Sequence, residues 1–368
     1  MRTVRRLLYR DIVGSVLFTA LAFLSLFFFI DFIDELDNVG KQGYQAWHAA
    51  VISLLAVPGH FYELFPIAVL IGTIYTLARM AQSSEFTILR TGGLGPERAL
   101  LLLAAIGAVF SVATFVVGDY VAPAAEQERV LLSAQFRGGI KFGRGGAWLK
   151  DHRSTAEGER SYSISVGSAS SRGDFDNVRI FEFDADGRLL RRVFAEHARV
   201  ERDATWDLRD VQVTRWDRVA ASGEVPEEHL ERLEWPTTLS ASVVAAAVLP
   251  IGTMSTVELF RYARHLASNE QAGQRYEIQF WKKALYPFAC LVMVALALPF
   301  AYLQVRSGGI SLKVFGGIML GISFVLLNNV AGHLGLLRNW TPWIVAAVPS
   351  VLYLWLSLAA FGWLVRYR

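Results

Sequence analysis

The chain has 368 residues, of which 53% are hydrophobic and 19% charged, with a formal net charge of +3 at pH 7. Several charge-free runs reach the roughly 20 residues that cross a bilayer as a helix, so the composition excludes an ordinary water-soluble domain and indicates an integral membrane protein. The single cysteine, Cys290, excludes an internal disulfide, and nothing in the charge pattern indicates nucleic-acid binding.

Six apolar runs predict six transmembrane helices. They cover residues 12–30, 64–78 (extendable back to 61), 99–118, 284–303, 314–332 and 340–365. Because basic residues mark cytoplasmic ends, the arginines before the first run and between the second and third place both termini in the cytoplasm. A seventh charge-free stretch, 236–257, would push later basic groups outside and is interrupted by Pro250. We therefore interpret it as the last strand and linker of an insertion.

A long polar insertion separates the third run from the fourth. Between Trp148 and Trp235 apolar and polar residues alternate, which is typical of β-strands with one buried face. Asp186-Gly187 is a pair that closes tight hairpins. The predicted fold is six transmembrane helices plus an all-β, jelly-roll-like periplasmic domain. If its inward positions close on one another the domain is scaffolding, whereas an open edge would admit acyl chains or another chain's strand.

The predicted domain boundaries follow from these patterns. Residues 1–121 hold the first three spans and a short cytoplasmic helix near 83–92, residues 122–265 form the periplasmic β domain, and residues 266–368 supply an amphipathic lead-in and the last three spans.

Motifs for chemistry are absent from the sequence. There is no phosphate-binding G-x-x-x-x-G-K-[ST], no H-E-x-x-H and no G-x-S-x-G. The adjacent Asn328 and Asn329 are the only paired polar residues in mid-span, and interhelical hydrogen bonding explains them more simply than catalysis does. We therefore expect a transport subunit with no enzymatic activity and no cofactor of its own.

The stretch RMAQSSEFTILRTGGLGPERAL, residues 79–100, predicts a short helix between the second and third spans. Ser83 or Ser84 can cap its start, and Gly92 and Gly93 end it. Its apolar residues lie beside charged ones, which suits docking into a socket on another protein. The candidate docking residues are Glu85, Phe86, Ile88, Leu89 and Arg90.

A cluster of carboxylates follows the first span in the stretch IDFIDELDNVGK. Asp31, Asp34 and Glu35 fall at i, i+3 and i+4, on one helical face. The cluster is either a solvated helix end or a site for cations or lipid headgroups, and a divalent ion bridging Asp31, Asp34 and Asp37 to phosphate is one form of the second alternative.

Nearly the whole chain resembles the lipopolysaccharide export permeases, the LptF/LptG family. The resemblance is densest in LFPIAVLIGTIYTLARMAQSSEFTILRTGGLG and in STVELFRYARHLASNEQAGQRYEIQFWKKALYPFACLVMVALALPF, and FIDELDNVG, VAPAAEQ and SSEF are closer to the LptG branch. It implies an ABC-type complex with an LptF-like permease, an LptB-like ATPase dimer that uses ATP and Mg, a single-span LptC-like protein and an LptA-like bridge. The complex would extract lipopolysaccharide from the outer leaflet, and Glu85 matches the family's coupling glutamate.

One departure from the family concerns the phosphates of lipid A. Related proteins often carry lysines at the outer end of the first span, whereas the matching positions here are Asp31, Asp37 and Asn38, with Lys41 the only nearby base. Arg129, Arg137 and Lys141, which lie between the third span and the β domain, are the alternative candidates for phosphate binding. A competing hypothesis is a mechanotransmission subunit that relays ATPase motion and moves no lipid.

Overall fold

The computed structural model describes most of the chain. The described residues are 2–41, 43–93, 95–137, 140–141, 147–155, 158–169, 174–200, 205–216, 226–236, 251–268, 273–302 and 310–366. They form two compact units: a helical unit of residues 1–37, 49–126 and 274–368, and a second unit of residues 38–48 and 127–273 that contains the sheet.

Ten α-helices occur in the described residues, and a π-helical turn at Val117–Val121 continues the fourth into the fifth. They are α1 (Arg2–Leu36), α2 (Ala46–Gln82), α3 (Glu85–Thr91), α4 (Pro96–Val116), α5 (Ala122–Arg137), α6 (Thr256–Ser268), α7 (Gln274–Leu285), α8 (Phe288–Tyr302), α9 (Ile310–Leu337) and α10 (Pro342–Arg366).

The helices confirm the predicted number of spans. Five are long and apolar enough to cross a membrane: Arg5–Leu36, Ala46–Gln82, Pro96–Ser133, Ile310–Leu337 and Pro342–Leu364. The pair α7–α8 makes the sixth, bent by 52° at a break that contains Pro287. Proline has no N–H group to continue the helical ladder, which explains the break. Residues 237–250, most of the rejected seventh span, lie outside the described residues.

The core of the helical unit lies between α1, α2, α4 and α8. α1 and α2 approach so closely that a Cβ added at Gly72 would lie 2.6 Å from the backbone nitrogen of Val16. Glycine is required at this crossing because any side chain would meet backbone rather than a movable side chain. Thr76 strengthens the same contact through a 2.8 Å hydrogen bond to Ser15 Oγ.

The second unit contains an antiparallel sheet, as predicted. Its strands are β1 (Ile140–Lys141), β2 (Ala147–Thr155), β3 (Gly158–Ala169), β4 (Asp174–Phe183), β5 (Leu189–Val200), β6 (Thr205–Arg215) and β7 (Glu227–Pro236). Strands β3 to β7 pair in chain order, and β1 and β2 both pair with β3. The predicted hairpin joins β4 to β5, where Gly187 has φ +76°.

The sheet rolls up around its own apolar face. Tyr162 on β3 and Trp235 on β7 have ring centroids 5.7 Å apart although three strands separate them along the sheet. Phe175 on β4 stacks on Trp206 of β6 at 5.9 Å. These contacts bury inward-facing rings of β3, β4, β6 and β7 against one another, while the choice between a closed and an open sheet stays a prediction.

On four neighbouring strands, β4 to β7, one extra residue interrupts the alternation of inward-facing and outward-facing side chains. The four interruptions lie side by side and form a line across the sheet. On β4, Phe175 is buried and then Val178, and on β6, Leu208 is buried and then Val211. The ladder pairs continue on both sides of this line and skip Asn177, Glu196, Asp210 and Glu231. Asn177 and Asp210 have φ values of +55° and +51°, a left-handed conformation that these residue types tolerate better than most.

Candidate functional site

The helix α3 begins and ends at the positions where the sequence predicts a turn. Ser84 has φ +61°, and its carbonyl accepts the N–H of Ile88 at 3.0 Å, so the chain reverses at this serine before α3 starts. The predicted side-chain cap is absent among the described contacts, because Ser83 Oγ instead donates to the carbonyl of Arg79 on α2. At the other end Gly93 has φ +96°, which confirms the predicted glycine stop.

The predicted docking face of α3 is wrong at Phe86, which faces the core of the helical unit. Its side chain is 3% exposed and its ring centroid lies 5.4 Å from that of Tyr302, so it fastens α3 to the helical core instead of facing a partner. Leu89 also packs partly against this core. Ile88 is 66% exposed, and Glu85 is exposed at the first position of the helix. Arg90 belongs to α3, but its side chain lies outside the described part of the structure.

The base of α3 is joined to α1 through α2. Arg79, one turn before the end of α2, forms an ion pair with Asp11 of α1, and Thr76 Oγ1 also donates to the carbonyl of Asp11 at 3.2 Å. Tyr9 then links α1 to α4 through a 2.9 Å hydrogen bond to the carbonyl of Leu102. These contacts tie α1 both to α2, which leads into α3, and to α4.

The opposite end of the spans, which we call the distal end, is marked by two contacts. Asp31 Oδ2 of α1 lies 2.7 Å from Nε2 of His60 on α2, and the hydroxyl of Tyr286 donates to the carbonyl of Glu63 at 2.6 Å. Asp31 is thus already held by an imidazole. Asp34 and Asp37 are exposed, and the ligand atoms of the three aspartates do not converge on a common point in the described structure. The divalent bridge therefore stays a prediction.

The predicted basic residues belong to the second unit. Lys41 is exposed in the turn before α2, where its carbonyl accepts the N–H of Tyr44 at 2.8 Å. Arg129 is partly buried on α5. Arg137 and Lys141 occupy the end of α5 and β1, and their side chains lie outside the described part of the structure. A phosphate site at these four residues therefore stays a prediction.

Two groups of ionisable residues were not predicted from the sequence. The first is Lys282 and Lys283 on α7, whose adjacent basic letters in QFWKKAL were a visible signal at the start of an apolar run. The second is Glu196, His197 and Asp210, whose ligand atoms lie within 4.8 Å of one another on the exposed face of the sheet. His197 is already engaged, since its Nδ1 lies 2.8 Å from Asp176, and this hydrogen bond raises its pKa above the usual 6.5.

A charge network covers the polar face of the sheet beside these residues. Asp207 is 4% exposed and receives hydrogen bonds from Arg232 at 2.6 Å and from Arg209 at 3.2 Å. Although burial acts to raise the pKa of the Asp207 carboxyl, the two guanidinium groups lower it below its usual 3.8. The network explains why a carboxylate is tolerated at a buried position of β6.

Comparison with known proteins agrees with the architecture. Residues 6–364 match the family described as Lipopolysaccharide export system permease LptF/LptG. The Lipopolysaccharide export system permease protein LptG of Haemophilus influenzae is 25% identical over 357 residues, covering 96% of each chain. The protein of the same name from Escherichia coli K12 is 26% identical over 361 residues, again covering 96% of each chain. The chain belongs to the lipopolysaccharide export system permease LptF/LptG family.

Proposed function

We propose that this chain is the LptG-type permease subunit of a lipopolysaccharide export complex. It pairs with an LptF-like permease, extracts lipopolysaccharide from the outer leaflet of the inner membrane and passes it to an LptA-like periplasmic bridge. An LptC-like single-span protein completes the membrane part, and a separate LptB-like ATPase dimer supplies the energy. In this proposal α3 and both termini face the cytoplasm and the sheet faces the periplasm.

The observation that carries the proposal is the division of α3 into a buried side chain and two exposed ones. Its buried Phe86 fixes the helix to the core, while Glu85 and Ile88 are turned outward without a described partner in this chain. An exposed carboxylate beside an exposed apolar residue suits a groove that offers a basic group and an apolar wall. The ion pair and hydrogen bonds from α2 to α1 then provide a route by which ATPase motion reaches the membrane helices.

The experiment is reconstitution of the whole complex with Glu85→Ala. We expect lipopolysaccharide delivered per ATP hydrolysed to fall by about tenfold, because a carboxylate that pairs within a partly desolvated groove is lost. Thr87→Ala, at an exposed uncharged position of the same helix, is the matched control and should transport normally. Parental delivery by the Glu85 variant would refute the docking role of α3.

Photocrosslinking in the same reconstituted complex distinguishes a permease from a mechanotransmission subunit that moves no lipid. Photoreactive residues placed along α1 should crosslink to lipopolysaccharide in the assembled complex if this chain lines the lipid path. An absence of crosslinks together with normal delivery would favour the mechanotransmission hypothesis.

A further inference from the structure

The ionisable groups at the distal end differ between α1 and α7. The end of α1 and the turn after it carry Asp31, Asp34 and Asp37, and the described contacts pair Asp31 with His60. Lysines come instead from α7, the first half of the bent span, as Lys282 and Lys283. At the distal end, α7 rather than α1 therefore offers a cation to an anionic ligand.

Lys282 is the better placed of the two lysines. Lys283 is 9% exposed and engaged within the chain, whereas Lys282 is only partly buried and has no ion-pair partner in the described residues. The end of its side chain lies against α9 at Gly332: a Cβ added there would be 2.3 Å from Nζ and 2.8 Å from Cε. We call the space left by the missing side chain the Gly332 notch.

The notch places a cation at the height of lipid headgroups. Measured along both halves of the bent span, the path from Lys282 to Tyr302 is about 30 Å at roughly 1.5 Å per residue, so even with the 52° bend it is close to the thickness of about 30 Å of a bilayer's hydrocarbon core. With Tyr302 near one interface, Lys282 lies near the other. A partly desolvated ammonium group without a counter-ion is unfavourable, and an anion that completes its hydrogen bonds would relieve that cost.

We propose that Lys282, held in the Gly332 notch, binds a phosphate group of the lipid substrate. The inference rests on the proposed function, because it requires the glycolipid to pass the distal end of α7. Phosphate fits this position because its oxygens accept several charge-assisted hydrogen bonds from the three N–H groups of an ammonium. Lys282 would thus supply the positive charge that α1 lacks at this level.

A simpler explanation is that Lys282 only extends its ammonium into interfacial water, as long basic side chains do at membrane surfaces. The two explanations differ at Gly332. An alanine there keeps every charge but displaces the end of the lysine from α9, which is a mild change because the atoms that must move are the tip of a flexible side chain. A lysine that merely reaches for water would be indifferent to this displacement.

The test uses the assembled complex in nanodiscs of phosphatidylcholine. Binding of fluorescent lipopolysaccharide is compared with binding of the same glycolipid without its lipid A phosphates. A third arm measures binding of phosphatidylglycerol. Lys282→Gln should bind the phosphorylated glycolipid at least about tenfold more weakly, the loss expected for one charged hydrogen bond. Gly332→Ala should weaken it in the same direction, and neither variant should change binding of the dephosphorylated form.

Arg338→Gln, which removes one positive charge from the exposed turn after α9, is the control and should bind like the parent. Unchanged binding of phosphorylated glycolipid by Lys282→Gln would overturn the inference, and so would a loss confined to the phosphatidylglycerol arm, which would assign the site to bulk phospholipid. A parent complex that binds no lipopolysaccharide would instead refute the proposed function, so the two failures are distinguishable.

Discussion

Nη2 of Arg79, near the end of α2, lies 2.6 Å from Oδ2 of Asp11 in the first half of α1. The arginine side chain is 47% exposed, so the ion pair contributes only about 0.5 to 1 kcal/mol to stability. Its importance is geometric, because the same residue also accepts the hydroxyl of Ser83, the first residue of the turn that leads into α3.

We expect Asp11→Asn and Arg79→Gln each to reduce lipopolysaccharide delivery per ATP while changing the melting temperature of the purified chain by only a few degrees. The charge-swapped double variant, Asp11→Arg with Arg79→Asp, should recover part of the loss. Delivery assays and thermal unfolding on the same preparations measure both quantities. If the double variant is worse than either single change, the pair is not the connection between α3 and α1.

Phe86 and Ile88 should separate stability from partner binding. Phe86→Ala leaves a cavity against Tyr302 and should cost about 3 kcal/mol of local stability. Ile88→Ala removes an exposed side chain and should alter stability by about 0.5 kcal/mol or less, yet weaken co-purification of the ATPase. Thermal unfolding of the chain alone, followed by pull-down of the complex, checks both. Equal effects of the two variants on unfolding would contradict the burial of Phe86.

Gly72→Ala should separate α1 from α2. The added Cβ meets the backbone of Val16, which cannot rotate away, so we expect destabilisation of about 1 to 3 kcal/mol. Gly59→Ala on the same helix is the control, because nothing lies within 4 Å of its added Cβ. Denaturation in detergent, followed by circular dichroism, compares the two. Equal stabilities would show that the close crossing is absent in solution.

The proposed topology predicts which side of the membrane each segment faces. A cysteine at Asp186, in the exposed β4–β5 hairpin, should react with an impermeant thiol reagent in intact spheroplasts, and a cysteine at Arg366 should react only after lysis. The native Cys290 is buried and should give little background. Labelling at position 366 before lysis would place the end of α10 outside.

The charge network of the sheet predicts a pH-dependent stability. Because the pKa of Asp207 is lowered in the folded state, its contribution is present above the unfolded value near 3.8 and is lost as the pH falls through the lower folded value. Arg232→Gln should therefore destabilise the sheet by about 1 kcal/mol at neutral pH and progressively less in acid.

Hydrogen exchange of peptides from β5 to β7 in the full chain measures this difference. Arg179→Gln, an exposed change on β4, is the control and should show no pH-dependent effect. A deficit of the Arg232 variant that stays constant down to pH 3 would exclude Asp207 as its source.

The apolar spans could be predicted because length without charge is a property of the sequence itself. The start of α2 could not, since His48, His60 and Glu63 interrupt the apolar pattern before the predicted run begins. Their helical conformation depends on tertiary partners such as Asp31, which holds His60 from another helix. Polar residues of this kind can be assigned to a long helix only once those partners are known.

The same limit applies to α3 and to the distal end. An apolar stripe predicted that α3 docks, but only the position of Tyr302 shows that Phe86 docks inward. The adjacent lysines are visible in the sequence, but the position of Lys282 against Gly332 is not, because that glycine lies on a later helix. Residues with local signals, such as Gly93 and the Asp186-Gly187 turn, behave as predicted because their conformations are set by their own backbone.

The row of Asn177, Glu196, Asp210 and Glu231 links the lengths of four strands to one another. Each strand uses one extra residue at this line, so deletion of a single residue from one strand would turn half of that strand inside out while its neighbours stayed in place. Such a deletion could be accepted only if the neighbouring strands lost their own residue together with it. Insertions and deletions among relatives should therefore collect in the hairpins and spare this row.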